Sequence, residues 1–118
     1  MSTSTNVKPT RVVATVASFA EAFAESTGDP TMALQQLRLL LALYVHGTIN
    51  QNDLPRHTGV AKSSNGRNID RMGTGSMREA GLGLVESYVD PMDRRFKLVR
   101  LTPKGRAVIE SAAASAAH

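Results

Sequence analysis

The 118-residue chain contains no cysteine and no tryptophan. Without a thiol it has no disulfide framework, no thiolate metal site, no cysteine nucleophile and no thiol-based redox sensor. Aromatic residues are limited to three Phe and two Tyr, so a core must be built from aliphatic side chains. Long apolar runs are missing as well. The longest, Leu39 to Val45, falls far short of the roughly 20 residues that span a bilayer. The amino terminus lacks the basic-then-apolar order of a secretory leader, so the expectation is a cytoplasmic protein with no membrane partner. The histidines, His46, His57 and His118, show no metal spacing, and no glycine motif that cradles phosphate is present. Ser63 and Ser64 have no evident base partner. No catalytic residue, metal or cofactor is expected.

What is there suits one soluble globular domain over residues 1–118, with 42% hydrophobic and 20% charged residues. The net charge of +4 is unevenly spread. Residues 1–61 carry four basic and four acidic side chains and cancel, whereas residues 62–106 carry ten basic groups against five acids. Those ten are Lys62, Arg67, Arg71, Arg78, Arg94, Arg95, Lys97, Arg100, Lys104 and Arg106. An excess of +5 in that stretch fits a polyanionic partner, and fits an ordinary solvated face equally well.

Residues 1–7 have nothing to bury and read as a disordered tail. Pro9 and the stripe Val12, Val16, Phe19, Ala20, Phe23 predict a helix over 8–27, ended by Gly28. Asp29 offers an N-cap and Pro30 a first helical residue for a second helix, strongly apolar through Leu34, Leu37, Leu40, Leu41, Tyr44 and Val45 and stopped by His46-Gly47. That helix should sit at the centre of the core. Thr48-Ile49 reads as an extended link. Asn50 caps a short third helix, with Asp53 three residues on and Leu54 as its anchor, and Pro55 should leave it short or bent. Thr58-Gly59-Val60 forms a turn into a fourth helix, Ala61 to Met72, with Ile69 and Met72 inward and Lys62, Ser63, Ser64, Arg67 and Arg71 outward. After a glycine-rich stretch, Leu84 to Val89 and Phe96 to Leu101 predict a hairpin around Asp90-Pro91-Met92-Asp93-Arg94. Thr102 caps and Pro103 starts a last helix over 102–118.

Helix, helix, short helix, turn, helix, hairpin, helix is the order of a winged helix-turn-helix, a mainly α protein with a small β-hairpin. Residues 30–101 would form that unit. The wording of the segments also resembles the MarR family of bacterial transcription regulators. The likeness runs from about Thr31 to Glu110 through Leu37-Arg38-Leu39-Leu40-Leu41-Ala42-Leu43-Tyr44, Gly59-Val60-Ala61-Lys62-Ser63-Ser64, Ile69-Asp70-Arg71-Met72, Gly83-Leu84-Val85-Glu86 and Asp90-Pro91-Met92-Asp93-Arg94-Arg95. The last of these, followed by Leu101-Thr102-Pro103-Lys104-Gly105, resembles the family's wing and the cap of its next helix. The resemblance implies a non-enzymatic, DNA-binding regulator acting at the nucleoid, expected as a repressor.

A helix of this kind fits the major groove, where short polar or long basic side chains do the reading. Lys62, Ser63, Ser64, Asn65, Arg67, Asn68 and Arg71 are the candidates. Arg67 suits the edge of guanine and Asn68 that of adenine, while Lys62, Ser63, Ser64 and Arg71 suit phosphates. In the wing, Arg94 or Arg95 would enter or flank the minor groove, and the resemblance implies that Asp93 orients Arg95. The chain departs from the family in several places, Pro55 in the third helix among them. Gly66 lies inside the reading helix, Asn65 and Asn68 stand where the family usually has apolar residues, and Gly73 to Ala80 is an insertion whose Arg78 is expected to be solvated. The resemblance also implies a homodimer joined through the first and last helices, with Val12, Val16, Phe19, Phe23, Val108 and Ile109 as its contacts. Such a dimer would read a palindromic site with half-sites about 34 Å apart. A small-molecule effector is left open. The rival reading is a winged helix that binds another regulator or polymerase, its basic patch a bystander.

Overall fold

The computed structural model describes residues 8–29, 31–75 and 80–117. The expected tail over 1–7, Pro30, Arg78 and His118 lie outside them. Among the described residues five α-helices and three short strands follow in the order α1 (Pro9–Thr27), α2 (Leu34–His46), β1 (Ile49–Asn50), α3 (Leu54–Thr58), α4 (Lys62–Met72), β2 (Val85–Val89), β3 (Lys97–Leu101) and α5 (Pro103–Ala116). This is an α+β winged helix.

Pro9 opens α1, and Gly28 closes it in the left-handed conformation at φ +69°, donating its amide to the Ala24 carbonyl. Only the second half of its apolar stripe is buried. Phe23 is in the core, and Phe19, half-buried, stacks on it with ring centroids 5.8 Å apart. The helix lies along α5 of the same chain, whose Ile109 and Ala112 are buried too. Phe23 and Ile109 were expected at a dimer contact. Each is instead at most 4% exposed within its own chain, because α1 and α5 use these residues to cover one another. Val12, Val13 and Val16, on the first half of α1, are exposed.

Helix α2 is central, as its composition requires: Leu39, Leu40 and Leu43 meet Leu54, Ile69, Met72, Val85, Val99 and Ile109 in one core. Its start differs from expectation. Asp29 does not cap it, because the Asp29 carboxylate accepts from the Thr31 amide (3.3 Å) and hydroxyl (3.1 Å) in a local turn. The helix begins at Leu34, where Gln36 Oε1 accepts the Ala33 amide at 3.1 Å. Leu34 and Val45, counted in the apolar stripe, face solvent.

The link at Thr48-Ile49 is more than a link. Ile49–Asn50 adds a third strand, giving an antiparallel sheet in the order β1-β3-β2 with Ile49 opposite Val99 and Ser87 opposite Val99 on the other side. Asn50 accepts the Asn52 amide (2.9 Å) and opens a single 3-10 turn, Gln51–Asp53, before α3. Asp53 pairs with Arg56 (3.3 Å) and does not complete a cap. Pro55 sits in the first turn of α3, where no amide is needed, and the helix is only five residues long. Thr102 Oγ1 accepts the Gly105 amide (3.0 Å) and donates to the Gly83 carbonyl (2.7 Å), so one hydroxyl caps α5 and ties it to the start of β2. Gly105 is buried against the Leu84 carbonyl, where a Cβ would collide with backbone.

The described ends of the insertion meet. Gly75 bridges Ala80, and the Leu82, Gly83 and Leu84 amides bond back to the Arg71, Gly73 and Met72 carbonyls at 3.1, 2.9 and 2.7 Å. The chain thus re-enters the wing from the point where α4 ended.

Candidate nucleic-acid interface

Helix α4 is a poor helix by composition: Lys62-Ser63-Ser64-Asn65-Gly66-Arg67-Asn68 contains no strong apolar or Ala residue. It forms because its inner face is anchored. Ile69 and Met72 enter the core, and Asn65 and Asn68 follow them inward. Asn65 is fully buried; its Nδ2 donates to the Val60 carbonyl (3.0 Å), and its Oδ1 lies 3.3 Å from the Thr58 hydroxyl. Thr58 in turn donates to the Leu54 carbonyl (3.0 Å) and accepts the Val60 amide (3.1 Å). Two buried side chains therefore satisfy the polar groups of the α3–α4 turn. Asn68, 7% exposed, donates to Gln35 Oε1 of α2 at 3.0 Å.

Both asparagines were expected on the outer, base-reading side, and the structure corrects this. Their amides are spent on the protein, so neither can reach a base edge in this conformation. A signal was available, since the positions are those at which the resembled family carries apolar residues. Arg71 is corrected in part: its Nη2 pairs with Asp29 Oδ2 at 3.3 Å, tying the end of α4 to the turn before α2. It is a brace first, with about a third of the side chain exposed.

Lys62, Ser63 and Arg67 remain exposed on the outer face, with Ser64 half-buried. Arg67 Nη2 donates to Ser64 Oγ at 3.1 Å, which holds the guanidinium along the helix surface without neutralising it. Gly66 faces open space.

The wing tip is an ordered turn. The Asp90 amide bonds the Phe96 carbonyl (2.9 Å), Asp90 Oδ1 accepts the Met92 amide (2.8 Å), and Asp93 Oδ1 accepts that of Arg95 (3.2 Å). Asp93 also grips the Arg95 side chain with both oxygens, at 2.9 Å to Nε and 2.7 Å to Nη2. These bonds hold the Asp93 carboxyl below its usual range and raise the Arg95 guanidinium further. Arg95 is 79% exposed, so it is aimed rather than hidden. Arg94 is exposed beside it.

The broader basic excess is less free than the count implies. Arg100 lies over the Tyr88 ring and pairs with Glu86 (2.6 Å), which raises its guanidinium. Arg106 lies over Tyr44 and 3.8 Å from Glu110, and Lys104 donates to the Leu82 carbonyl. The Tyr44 phenol donates to Glu110 (3.0 Å), which raises its pKa. One juxtaposition had no sequence signal: His46 at the end of α2 and His57 in α3 bring their rings to 4.5 Å. Among the described residues no group of three or more His, Cys, Asp or Glu is placed to hold a metal, and no helix is long and apolar enough to cross a membrane.

No family model matches the sequence. No curated protein matches it either. Solved structures do. RV1404 from Mycobacterium tuberculosis superposes with a TM-score of 0.72 at 27% identity, covering 99% of this chain and 79% of that one. BpsR of Bordetella bronchiseptica, a protein whose DNA binding is regulated by 6-hydroxynicotinic acid, gives 0.60 at 26% identity over 90% of this chain and 75% of its own. A mutant MarR from E. coli complexed with operator DNA gives 0.62 at 21% identity, over 88% and 69%, a likeness of fold. The chain has the winged helix-turn-helix fold of the MarR regulators, and the resemblance seen in its motifs holds in three dimensions.

Proposed function

We propose that this chain is a transcriptional regulator, a repressor, that binds double-stranded DNA as a homodimer. It would lay α4 in the major groove and the wing, residues 84–101, against the minor groove or backbone. The observation that carries this reading is the division of labour on α4. Asn65, Asn68, Ile69 and Met72 fasten its inner face, while Lys62, Ser63 and Arg67 are exposed on the outer one, with Arg67 bonded to Ser64. With the asparagines withdrawn, Arg67 is the base reader, suited to guanine. Lys62, Ser63 and Ser64 hold phosphates, and Arg94 with the Asp93-aimed Arg95 serves the wing.

The exposed Val12 and Val16 supply the dimer contact, with Val108 and Phe19 at its edge. A two-fold dimer would read half-sites about 34 Å apart. BpsR and the DNA-bound MarR lend support by analogy of fold.

The test is selection of duplexes from a random pool, followed by a salt titration of the selected site. Affinity should fall steeply as salt rises, because each neutralised phosphate releases counterions. Arg67→Ala should change the selected site at a cost of about 1–3 kcal/mol, and Lys62→Ala should weaken all duplexes alike. A reporter behind the selected site should be silenced when the chain is expressed. Adding small aromatic acids to the titration tests effector control. Negligible duplex affinity even at low salt would instead favour the protein-binding module.

A further inference from the structure

Building on the DNA-binding reading, we infer that Arg38 of the central helix α2 is a phosphate-holding residue of the same interface, contributing a sequence-independent grip from outside the reading helix. Three observations lead there. Gln35, Arg38 and His46 recur on one edge of α2, and two of them meet the helix-turn-helix directly: Gln35 bonds Asn68 of α4, and His46 lies against His57 of α3. Between them, the Arg38 guanidinium lies over the turn that joins α3 to α4. A Cβ placed on Gly59 would come within 2.8 Å of its Nη2 and 3.4 Å of Cζ and Nη1. The bare Cα of Gly59, at φ +69°, is what leaves room for the guanidinium.

The third observation is charge. Arg56, Arg71, Arg95, Arg100 and Arg106 each lie within ion-pair distance of a carboxylate. Arg38 is exposed and has neither an ion pair nor a side-chain hydrogen bond among the described residues. No described carboxylate offsets its charge, on the turn three residues before Lys62. In helix-turn-helix docking the first helix of the unit crosses the DNA backbone, so this turn runs beside a strand. A guanidinium seated beside this turn has planar N–H donors that match two phosphate oxygens.

The experiment compares wild type, Arg38→Ala and Arg38→Lys by duplex affinity across a salt series, on the selected duplex and a scrambled one, with melting temperature recorded alongside. Arg38→Ala should weaken both duplexes by the same factor, roughly three- to tenfold at low salt, and reduce the slope of log K against log salt by about 0.9 per protomer, about 1.8 for the dimer. Arg38→Lys should retain the slope. Melting should be unchanged, whereas a merely structural Arg38 would lower it and leave the slope alone. If Arg38→Ala does not fold, Arg38→Gln, which keeps a planar amide over Gly59 without the charge, gives the same comparison. Steep salt dependence in wild type with an unaltered slope in the uncharged variant overturns the role of Arg38 and spares the DNA reading. Salt-insensitive or absent binding in wild type overturns both.

Discussion

Asn65 shows how a polar side chain can sit on the proposed DNA-reading helix and still be turned wholly inward. It closes the α3–α4 turn from inside, so Asn65→Ala leaves the Val60 carbonyl and Thr58 without their partner at a cost of about 1–3 kcal/mol. A thermal melt should register that loss while the selected DNA site stays the same; an altered site at full stability would show that the side chain reads bases. Asp93 is the opposite case, a half-exposed carboxylate that grips the Arg95 side chain with both oxygens. Its pKa is lowered in the folded chain, so the Arg95 grip is present above the ordinary aspartate range and is lost as pH falls through the lowered value. Asp93→Asn should therefore weaken duplex binding several-fold with little change in melting. Between pH 6 and 8 the pair should add no pH dependence to binding, which a titration of wild type against the variant checks.

At the scale of elements, α4 is held by its anchors rather than by its propensity, and Gly66 is the place to measure that. A Cβ there meets open space, so Gly66→Ala should stabilise by up to about 1 kcal/mol. If the same variant binds DNA less tightly, the glycine serves close approach to the duplex; equal or better binding would mark it as a plain weak point. Gly105 gives the reverse sign. Its α5 turn presses on the Leu84 carbonyl, so Gly105→Ala should cost at least about 1–3 kcal/mol in a denaturant melt. The joint between wing and last helix should loosen with it. The turns that frame these elements were readable from Gly28, Gly59 and Thr102, because left-handed backbone and hydroxyl caps are local demands. The Asp29 cap was not, because the same carboxylate serves Thr31 and Arg71, and Arg71 is 42 positions away.

For the whole molecule, the arrangement of α1 decides what is left for a partner. Its second half is used on α5, and its first half leaves Val12, Val13 and Val16 at 49, 66 and 59% exposure. Val16→Arg should leave the melting of the single chain nearly unchanged, yet halve the mass in light scattering and weaken binding to a two-half-site duplex far more than to a single half-site. A chain that is monomeric before the substitution would end the dimer proposal.

Order of elements, the central place of α2 and the polar outer face of α4 are written in periodicity, capping and turn residues, because those signals act over three to seven positions. The wing and its Asp93-Arg95 pair are equally local, two residues apart on one turn. Long-range pairing set the rest: Ile49 finding Val99, Asn68 finding Gln35, Arg71 finding Asp29 and Arg38 lying on Gly59. Amphipathic spacing says that a polar residue can face outward, but whether a buried asparagine has a partner depends on which backbone carbonyl the packed core brings within 3.0 Å of it.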